Sequence, residues 1–280
     1  TNNKVKCLAQ GTKVMLKERC RCKKYWSGPR CSIPDSVTKS DISKSYTLRF
    51  RQKPRRIIYS FLFNNEFDML ETIFGELGDL VDVFIIVEAN FTIQGYAKQL
   101  NLLHRFQEGN YGENACKTVL IQITSAPFKI VNNAIHLENW LRKQTSVQGL
   151  EFSVIGYKPD DIFLHLDVDE IPSRDTLLFL KLHDGFPEPF GFHLKSTKYG
   201  FFYRDQYTIS SSFSGLTTAM LQQVLLGNAY WIKNAPHWIR KESKNIKNAD
   251  KFDIAPWKFG NVNEPAGWHC CKCCDINCIR

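Results

Sequence analysis

The sequence predicts an α/β fold in which a mostly parallel sheet has helices on both faces and follows a small disulfide-stapled module. Continuous apolar runs, which suit strands buried on both faces, alternate with segments whose apolar residues recur at helical spacing. Such alternation is typical of parallel sheets covered by helices. Cysteines cluster at both ends of the chain, which predicts stapling of the first segment.

The elements of the sheet follow one another from residue 55 onward. The predicted strands are Ile57–Phe63, 83–87, Thr118–Ile123, 162–166 and 190–194. The predicted helices are one over 67–80, one over 134–147 and one with Pro172 in its first turn. Because ligands of such sheets bind at the carboxyl ends of the strands, the site is expected at that edge.

Composition limits the class of protein. The 280 residues, 43% of them hydrophobic, suffice for one large core or a core plus a small module. No apolar run approaches the roughly 18 residues that span a bilayer. The chain begins at Thr1 and not at Met, so an N-terminal signal or anchor is expected to have been removed or left out. The net charge of +9 comes from scattered basic residues, which favours a solvated surface over a nucleic-acid site.

Cysteines and a glycosylation sequon indicate the secretory pathway. Ten cysteines are many for a cytosolic protein. Asn90-Phe91-Thr92 is the sequon, and Asn90 is its predicted glycosylation site. The alternative is that Asn90 faces the ligand crevice. The cysteines near the C-terminus are expected to form disulfides rather than a zinc site, and their pairing stays open.

Residues 1–34 are predicted to form a separate module. The spacing of Cys20, Cys22 and Cys31, with Gly28 before the last cysteine, resembles the C-terminal half of an EGF-like module. That resemblance implies the disulfides Cys7–Cys20 and Cys22–Cys31, and it makes the segment a partial EGF-like stem. Residues 35–54 are polar and predict a linker, which leaves 55–280 as the main domain, whose C-terminus is expected to be truncated.

The acidic stretch after the fourth predicted strand is the strongest functional signal. Asp167, Asp169 and Glu170 follow an apolar run directly, and like charges this close repel one another. A divalent cation, Mn²⁺ or Mg²⁺, would relieve the repulsion. In the transfer of a sugar from a nucleotide diphosphate, such a cation acts as a Lewis acid on the diphosphate that leaves. If strand geometry persists, the two aspartates project to the same side. The alternatives are a solvated acidic loop or a charge cluster at a helix N-terminus.

Several segments of the chain resemble segments of glycosyltransferase family 17 and follow one another in the same order. They are 65–68, 76–82, 88–92, 167–175, 179–185, 199–202, 220–222 and 266–270. The resemblance implies a GT-A-like fold with a Rossmann-type sheet and UDP-GlcNAc as donor. It further implies metal-dependent, inverting transfer of GlcNAc in β-1,4 linkage to the core β-mannose of N-glycans on glycoprotein acceptors. The implied location is the lumenal side of the Golgi membrane, as a type II protein.

The resemblance also assigns site residues. Asp167 and Asp169 match the family's metal- and donor-binding motif, and Glu170 matches the adjacent acid. His269 is either a third metal ligand or diphosphate contact, or a packed histidine.

Further donor contacts and a base are predicted from position in the chain. Glu88 and Asn65 end strands at the expected edge, and Arg142 reaches the diphosphate bidentately or forms an ion pair on its helix. Asp184 is the first candidate for the general base that removes the acceptor proton. Glu188 and Glu264 are further candidates.

Some residues depart from the family pattern. Ile73 stands where the family often has Arg, and Ala219 where it often has an acid. These departures motivate an alternative, an inactive family member that serves as a secretory-pathway binding module. Tyr199, Phe201 and Phe202 either stack on sugar faces or pack in the core.

Overall fold

The computed structural model describes residues 6–16, 19–42, 45–126, 134–235 and 251–273. Its strands are β1 (Thr12–Met15), β2 (Cys20–Cys22), β3 (Trp26–Ser27), β4 (Ile33–Pro34), β5 (Arg49–Phe50), β6 (Ile57–Phe63), β7 (Val83–Ala89), β8 (Thr118–Ile123), β9 (Ile162–His165), β10 (Glu170–Pro172), β11 (His183–Asp184), β12 (Glu188–Lys198), β13 (Arg204–Thr217), β14 (Ile254–Phe259) and β15 (Gly267–Cys271). Its α-helices are α1 (Asp35–Thr38), α2 (Phe67–Leu77), α3 (Leu102–Gln107), α4 (Glu113–Cys116), α5 (Ala134–Gln144), α6 (Arg174–Leu182), α7 (Thr218–Gln223) and α8 (Tyr230–Lys233). A π-helix, Thr145–Glu151, continues α5.

Within these ranges, nine strands form one mixed sheet. Its order is β10-β15-β12-β13-β9-β6-β7-β8, and β14 pairs with β12 off this path. The neighbours β9, β6, β7 and β8 are all parallel. The other half is mixed, since β13 runs antiparallel to both β9 and β12, whereas β14 and β15 run parallel to β12. The fold is therefore mixed α/β, and the expected parallel sheet covers only part of it.

Alternation along the strands gives the sheet two buried faces. Tyr59 and Phe61 of β6 pack with Leu70 of α2 and Leu177 of α6 on one face. Ile58 projects to the other side. Helices thus cover both faces.

The second face is covered by the π-helix, α7, α8 and α5. Leu150, Leu221 and Ile232 share a buried cluster with Phe163 of β9, and Leu137 of α5 packs with the end of β7. The π-helix approaches the sheet so closely that a Cβ added at Gly149 would lie 2.3 Å from Ile85 Cγ2.

Two helix predictions needed correction. The predicted helix over 134–147 changes to π-helical geometry after Gln144, where the close contact with β7 occurs. Pro172 does not begin a helix but ends β10, because Ser173 is the N-cap and its side chain accepts a hydrogen bond from Thr176 N.

The N-terminal segment contains the disulfides Cys7–Cys20 and Cys22–Cys31. These are the pairs that the partial EGF-like resemblance implied. The segment after it contacts the main body: Val37 is buried in the largest apolar cluster and β5 pairs with β11. No helix in the described part of the chain is long and apolar enough to cross a bilayer.

Candidate active site

The acidic motif occupies a turn rather than an extended strand. β9 ends at His165, and Glu170 N donates to Asp167 O over 2.9 Å, which closes the turn. Asp167 and Asp169 therefore do not project as alternate residues of one strand. Both nevertheless line the same cavity of about 640 Å³.

That cavity lies at the carboxyl edge of the parallel strands, where the fold class predicts it. Asn64 follows β6, Thr92 lies just beyond β7, and Asp167 lies just beyond β9. His269 of β15 contributes from the mixed half of the sheet. The site is thus built from segments that are far apart in sequence and meet only through the sheet order.

Asp169 and His269 form a pair on the cavity wall. β10 pairs with β15 so that Glu170 is opposite His269, and Cys270 N donates to Asp169 O over 2.8 Å. The His269 Nε2 lies 3.1 Å from Asp169 Oδ2. This hydrogen bond raises the pKa of His269 above its ordinary value. The imidazole therefore faces the cavity and is not an enclosed core histidine.

Asp167 is held between two cations. Its Oδ1 lies 2.9 Å from Arg142 Nη2, and its Oδ2 lies 2.8 Å from Lys233 Nζ. Burial opposes ionisation, but Lys233 first and Arg142 next lower the pKa of Asp167 to about 2. The carboxylate is thus ionised and already neutralised by the protein.

Lys233 is a site residue that the sequence analysis missed. Its ammonium also lies 2.6 Å from Glu170 Oε2, so it joins two acids of the motif. Lys233 ends the four-residue helix α8 and is 66 residues from Asp167 in sequence. A lysine in a short segment of this kind has no pattern that would single it out.

Glu170 is buried and orients the motif from beneath. Only 4% of the residue is exposed. Besides Lys233, its carboxylate accepts hydrogen bonds from Ser212 Oγ at 3.0 Å and from Asp167 N at 3.1 Å. Every carboxylate oxygen therefore has a protein partner, which indicates an orienting role rather than contact with substrate.

Two side chains on the cavity wall carry atoms that suit a divalent cation as ligands. Asp169 offers a carboxylate oxygen and His269 an imidazole nitrogen side by side, both suited to Mn²⁺. Within the described residues, no three His, Cys, Asp or Glu side chains converge as a metal cluster. Of the predicted ligands Asp167, Asp169 and His269, the last two contact each other on the cavity wall, whereas Asp167 is paired with Arg142 and Lys233.

Two predicted donor contacts lie outside the cavity. Glu88 is fully buried, and its Oε1 accepts from Asn101 N at 2.8 Å and from Leu102 N at 3.3 Å. It holds the start of α3, because alternation along β7 turns the flanking Val87 and Ala89 toward the cavity instead.

Asn65 is exposed, and its neighbour Asn64 lines the cavity in its place. The backbone N–H groups of both asparagines donate to Glu66 Oε2, at 2.8 Å from Asn64 and 3.0 Å from Asn65. The turn that follows β6 therefore presents Asn64 rather than Asn65.

Arg142 forms the ion pair that was the alternative to a diphosphate contact. Its Nη2 lies 2.5 Å from Glu138 Oε1, one turn earlier on α5, and close to Asp167. Nη1 is buried and has no hydrogen-bond partner among the described residues. The guanidinium thus supports the motif from behind while one of its donors remains unused.

The three acids considered as a general base are not on the cavity wall. Asp184 lies 2.5 Å from Arg51 Nη1 and also contacts Arg55. Glu188 is half-buried and accepts from Thr217 N at 2.6 Å, and desolvation raises its pKa. Glu264 pairs with a lysine at the surface. Asp184, the first candidate for the base, lines a separate cavity of about 330 Å³.

The departures from the family pattern lie away from the main cavity. Ala219 lines the smaller cavity beside Asp184. Ile73 belongs to α2 and is fully buried in the core. Asn90 follows β7 directly and is half-buried, and Phe91 and Thr92 of its sequon line the main cavity.

The cysteines near the C-terminus form one disulfide within the described part of the chain. It joins Cys270 to Cys273, and both residues line the main cavity beside His269. Cys274 and Cys278 lie outside the described residues.

Comparison with known proteins decides the family. Residues 32–217 match Glycosyltransferase family 17. The chain belongs to glycosyltransferase family 17. It is 33% identical over 254 residues to the human, rat and mouse proteins named beta-1,4-mannosyl-glycoprotein 4-beta-N-acetylglucosaminyltransferase. These alignments cover 91% of this family-17 chain and 47% of each relative, so the chain spans about half their length.

Proposed function

We propose that this chain carries a metal-dependent, inverting N-acetylglucosaminyltransferase of GT-A-like fold. The donor is UDP-GlcNAc, and the acceptor is the core β-mannose of N-glycans, which receives GlcNAc in β-1,4 linkage. The observation that carries the proposal is that the family's acidic motif lines a cavity with His269 at the carboxyl edge of the sheet. The names of the relatives support the choice of donor sugar and acceptor.

The charges around the cavity suit a diphosphate. Asp169 and His269 would hold a divalent cation, which supplies Lewis-acid stabilisation of the leaving diphosphate when it is bound. Lys233 and Arg142 keep Asp167 ionised and oriented. Because their positive charges offset its negative charge, the acidic motif repels the anionic donor less. Glu170 fixes the turn through Lys233 and Ser212.

The reaction also needs a base for the acceptor hydroxyl. Besides the two aspartates of the motif, the carboxylates on the cavity wall are Glu66 and Glu138. Asp167 is a poor base, because its pKa is held at about 2. We assign the base to the pair Glu66 and Glu138, neither of which the sequence analysis considered.

Cellular context is part of the proposal. The disulfides and the sequon at Asn90 support the lumen of the secretory pathway, with attachment to the Golgi membrane as a type II protein. The division into a partial EGF-like stem (1–34), a linker (35–54) and a catalytic domain (55–280) belongs to the same proposal. To test glycosylation, the wild type and the Asn90→Gln variant are expressed in secretory cells. The variant should lack one N-glycan that a glycosidase removes from the wild type, which its lower mass would show.

A transfer assay tests the activity. The purified, oxidised chain is incubated with UDP-GlcNAc, Mn²⁺ and a biantennary N-glycan, and the product is analysed by mass and linkage. The proposal requires release of UDP and a product heavier by one N-acetylhexosamine, attached to the core mannose. Absence of the product together with intact binding of donor and glycan would contradict it.

A second candidate is a secretory-pathway binding module that uses the same cavity without turnover. It is favoured by one observation, that Asp167 already has two cationic partners and therefore needs no metal. Binding of UDP-GlcNAc without UDP release would support this candidate.

A further inference from the structure

The β12–β13 hairpin extends past the edge of the sheet at which the cavity lies. β12 and β9 both run antiparallel to β13, so their carboxyl ends lie at the same edge. Ser196 of β12 pairs with His269 on the cavity wall. Tyr199 follows the end of β12 and lies roughly 10 Å beyond His269, at about 3.3 Å per residue. The turn of the hairpin therefore extends past the edge of the sheet at which the site lies.

The turn is joined directly to the cavity wall. Tyr199 N donates to Cys271 O over 3.1 Å. The two neighbours of Cys271, Cys270 and Lys272, both line the cavity. The rim and the turn are thus one continuous surface rather than two separate features.

This turn, residues 199–203, exposes aromatic rings that the core does not use. Phe202 is 95% exposed, Tyr203 70% and Tyr199 59%. Only Phe201 packs against the main apolar cluster, where it anchors the turn. Three large rings exposed to water on one turn do not stabilise the fold. A ligand that covers them would explain their exposure. We call residues 199–203 the aromatic turn.

We propose that the aromatic turn binds the acceptor oligosaccharide by stacking on the apolar C–H faces of its sugars. This inference rests on the function proposed above. The mannose that is attacked must enter the cavity, so the rest of the glycan has to leave across the rim. A neutral oligosaccharide offers apolar faces for rigid aromatic rings. For the anionic donor the cavity wall offers the cations Lys98 and Lys272 instead.

Kinetics of the Phe202→Ala and Tyr203→Ala variants test the proposal. The KM for a released biantennary N-glycan should rise about three- to tenfold for each ring removed, the loss that one aromatic contact typically causes. The KM for UDP-GlcNAc should not change, because the donor lies deeper in the cavity. Phe202→Trp should restore the acceptor KM. Phe152→Ala is the matched control, since Phe152 is 79% exposed and lies outside the turn and the cavity lining.

Binding measured without donor separates this inference from the proposed function. Saturation-transfer NMR should show the glycan contacting the wild-type chain and losing contact in Phe202→Ala. Glycan binding by the wild type without any transfer would refute the proposed function and leave the aromatic turn standing. Unchanged acceptor KM and unchanged glycan binding in both alanine variants would overturn the inference. So would an effect confined to intact glycoproteins or to lipid vesicles, because the partner would then be a protein or a membrane.

Discussion

Lys233 Nζ lies 2.8 Å from Asp167 Oδ2 and, at the same time, 2.6 Å from Glu170 Oε2. One ammonium therefore joins an acid on the cavity wall to an acid buried beneath it. The side chain of Lys233 is 14% exposed and that of Glu170 is 6% exposed, so solvent screens their attraction little. The acidic motif that defines the site is held together by a cation of the protein itself.

Removal of this cation should destabilise the fold. Lys233→Met leaves Glu170 buried without its ionic partner, which should lower the free energy of unfolding by about 3 kcal/mol. Urea denaturation followed by tryptophan fluorescence measures the change. Lys233→Arg, which keeps the charge, should recover most of the loss.

Lys39→Met is the control for the destabilisation. Lys39 pairs with Asp35 and Glu264, but its side chain is 43% exposed. Its loss should change the free energy of unfolding little, as is usual for exposed pairs. Equal effects at Lys233 and Lys39 would contradict the structural role assigned to Lys233.

The same substitution should strengthen metal binding. Lys233→Met removes a positive charge close to the site at Asp169 and His269. The affinity for Mn²⁺ should therefore rise by at least about tenfold, because a unit charge repels a divalent ion by more than about 1.4 kcal/mol at any separation below roughly 20 Å when the effective dielectric constant is near 20. Electron paramagnetic resonance of free Mn²⁺ measures this without any turnover. Lys233→Arg should bind Mn²⁺ like the wild type. Unchanged affinity in Lys233→Met would place the metal away from this motif.

The Asp169–His269 pair should make stability depend on pH. The pKa of His269 is raised by its hydrogen bond to Asp169, so the pair stabilises the fold fully below the unfolded value of 6.5. That stabilisation is lost as pH rises through the higher folded-state pKa. The difference in unfolding free energy between wild type and Asp169→Asn should therefore be largest at acidic pH and shrink toward alkaline pH.

The control for this pH dependence is the exposed pair His104 and Glu108, 3.3 Å apart. Glu108→Gln should change stability little at any pH, since the histidine side chain is 74% exposed. NMR titration of the imidazole should also show a lower pKa for His269 in Asp169→Asn. A difference that does not vary with pH would show that the pair does not form.

The contribution of Asp167 to stability should change with pH in the opposite direction to that of His269. Its pKa is lowered from 3.8 to about 2, so its ion pairs stabilise the fold above the unfolded value and lose that effect as pH falls toward 2. The stability difference between wild type and Asp167→Asn should stay constant from neutral pH to about pH 4 and decrease only below it. A decrease that begins near pH 6 would contradict the double pairing with Arg142 and Lys233.

The general base should be identified by separate substitutions of Glu66 and Glu138. The variant that removes the base should lose about 10²- to 10⁴-fold in kcat with little change in KM for UDP-GlcNAc. Asp184→Asn is the matched control, because Asp184 lies in the separate smaller cavity. A large loss of kcat in Asp184→Asn with neither glutamate required would restore the original assignment.

The parallel half of the fold could be predicted because its strands are continuous apolar runs. Ile57–Phe63 and Thr118–Ile123 have the bounds that the sequence predicts. β13 escaped prediction, since Ser210, Ser211 and Ser212 stand in a row within it and give no apolar pattern. Its place in the sheet depends on pairing with β12 and β9, which a local pattern does not contain.

The candidate site shows the same limit. Asp169 and His269 were predicted from family motifs, and the pairing of β10 with β15 brings them together. Alternation along a strand decides which neighbour faces a cavity, and the sequence analysis placed Glu88 on the wrong side of β7. Lys233 reaches Asp167 only through the packing of α8, so no local pattern could have assigned it.

The most direct test of the account is a crystal of this chain soaked with UDP and Mn²⁺. The account predicts the metal between Asp169 and His269, the diphosphate on its cavity side, and Asp167 still bonded to Lys233 and Arg142. Electron density for UDP in the smaller cavity beside Asp184, or a metal bound without Asp169, would contradict it.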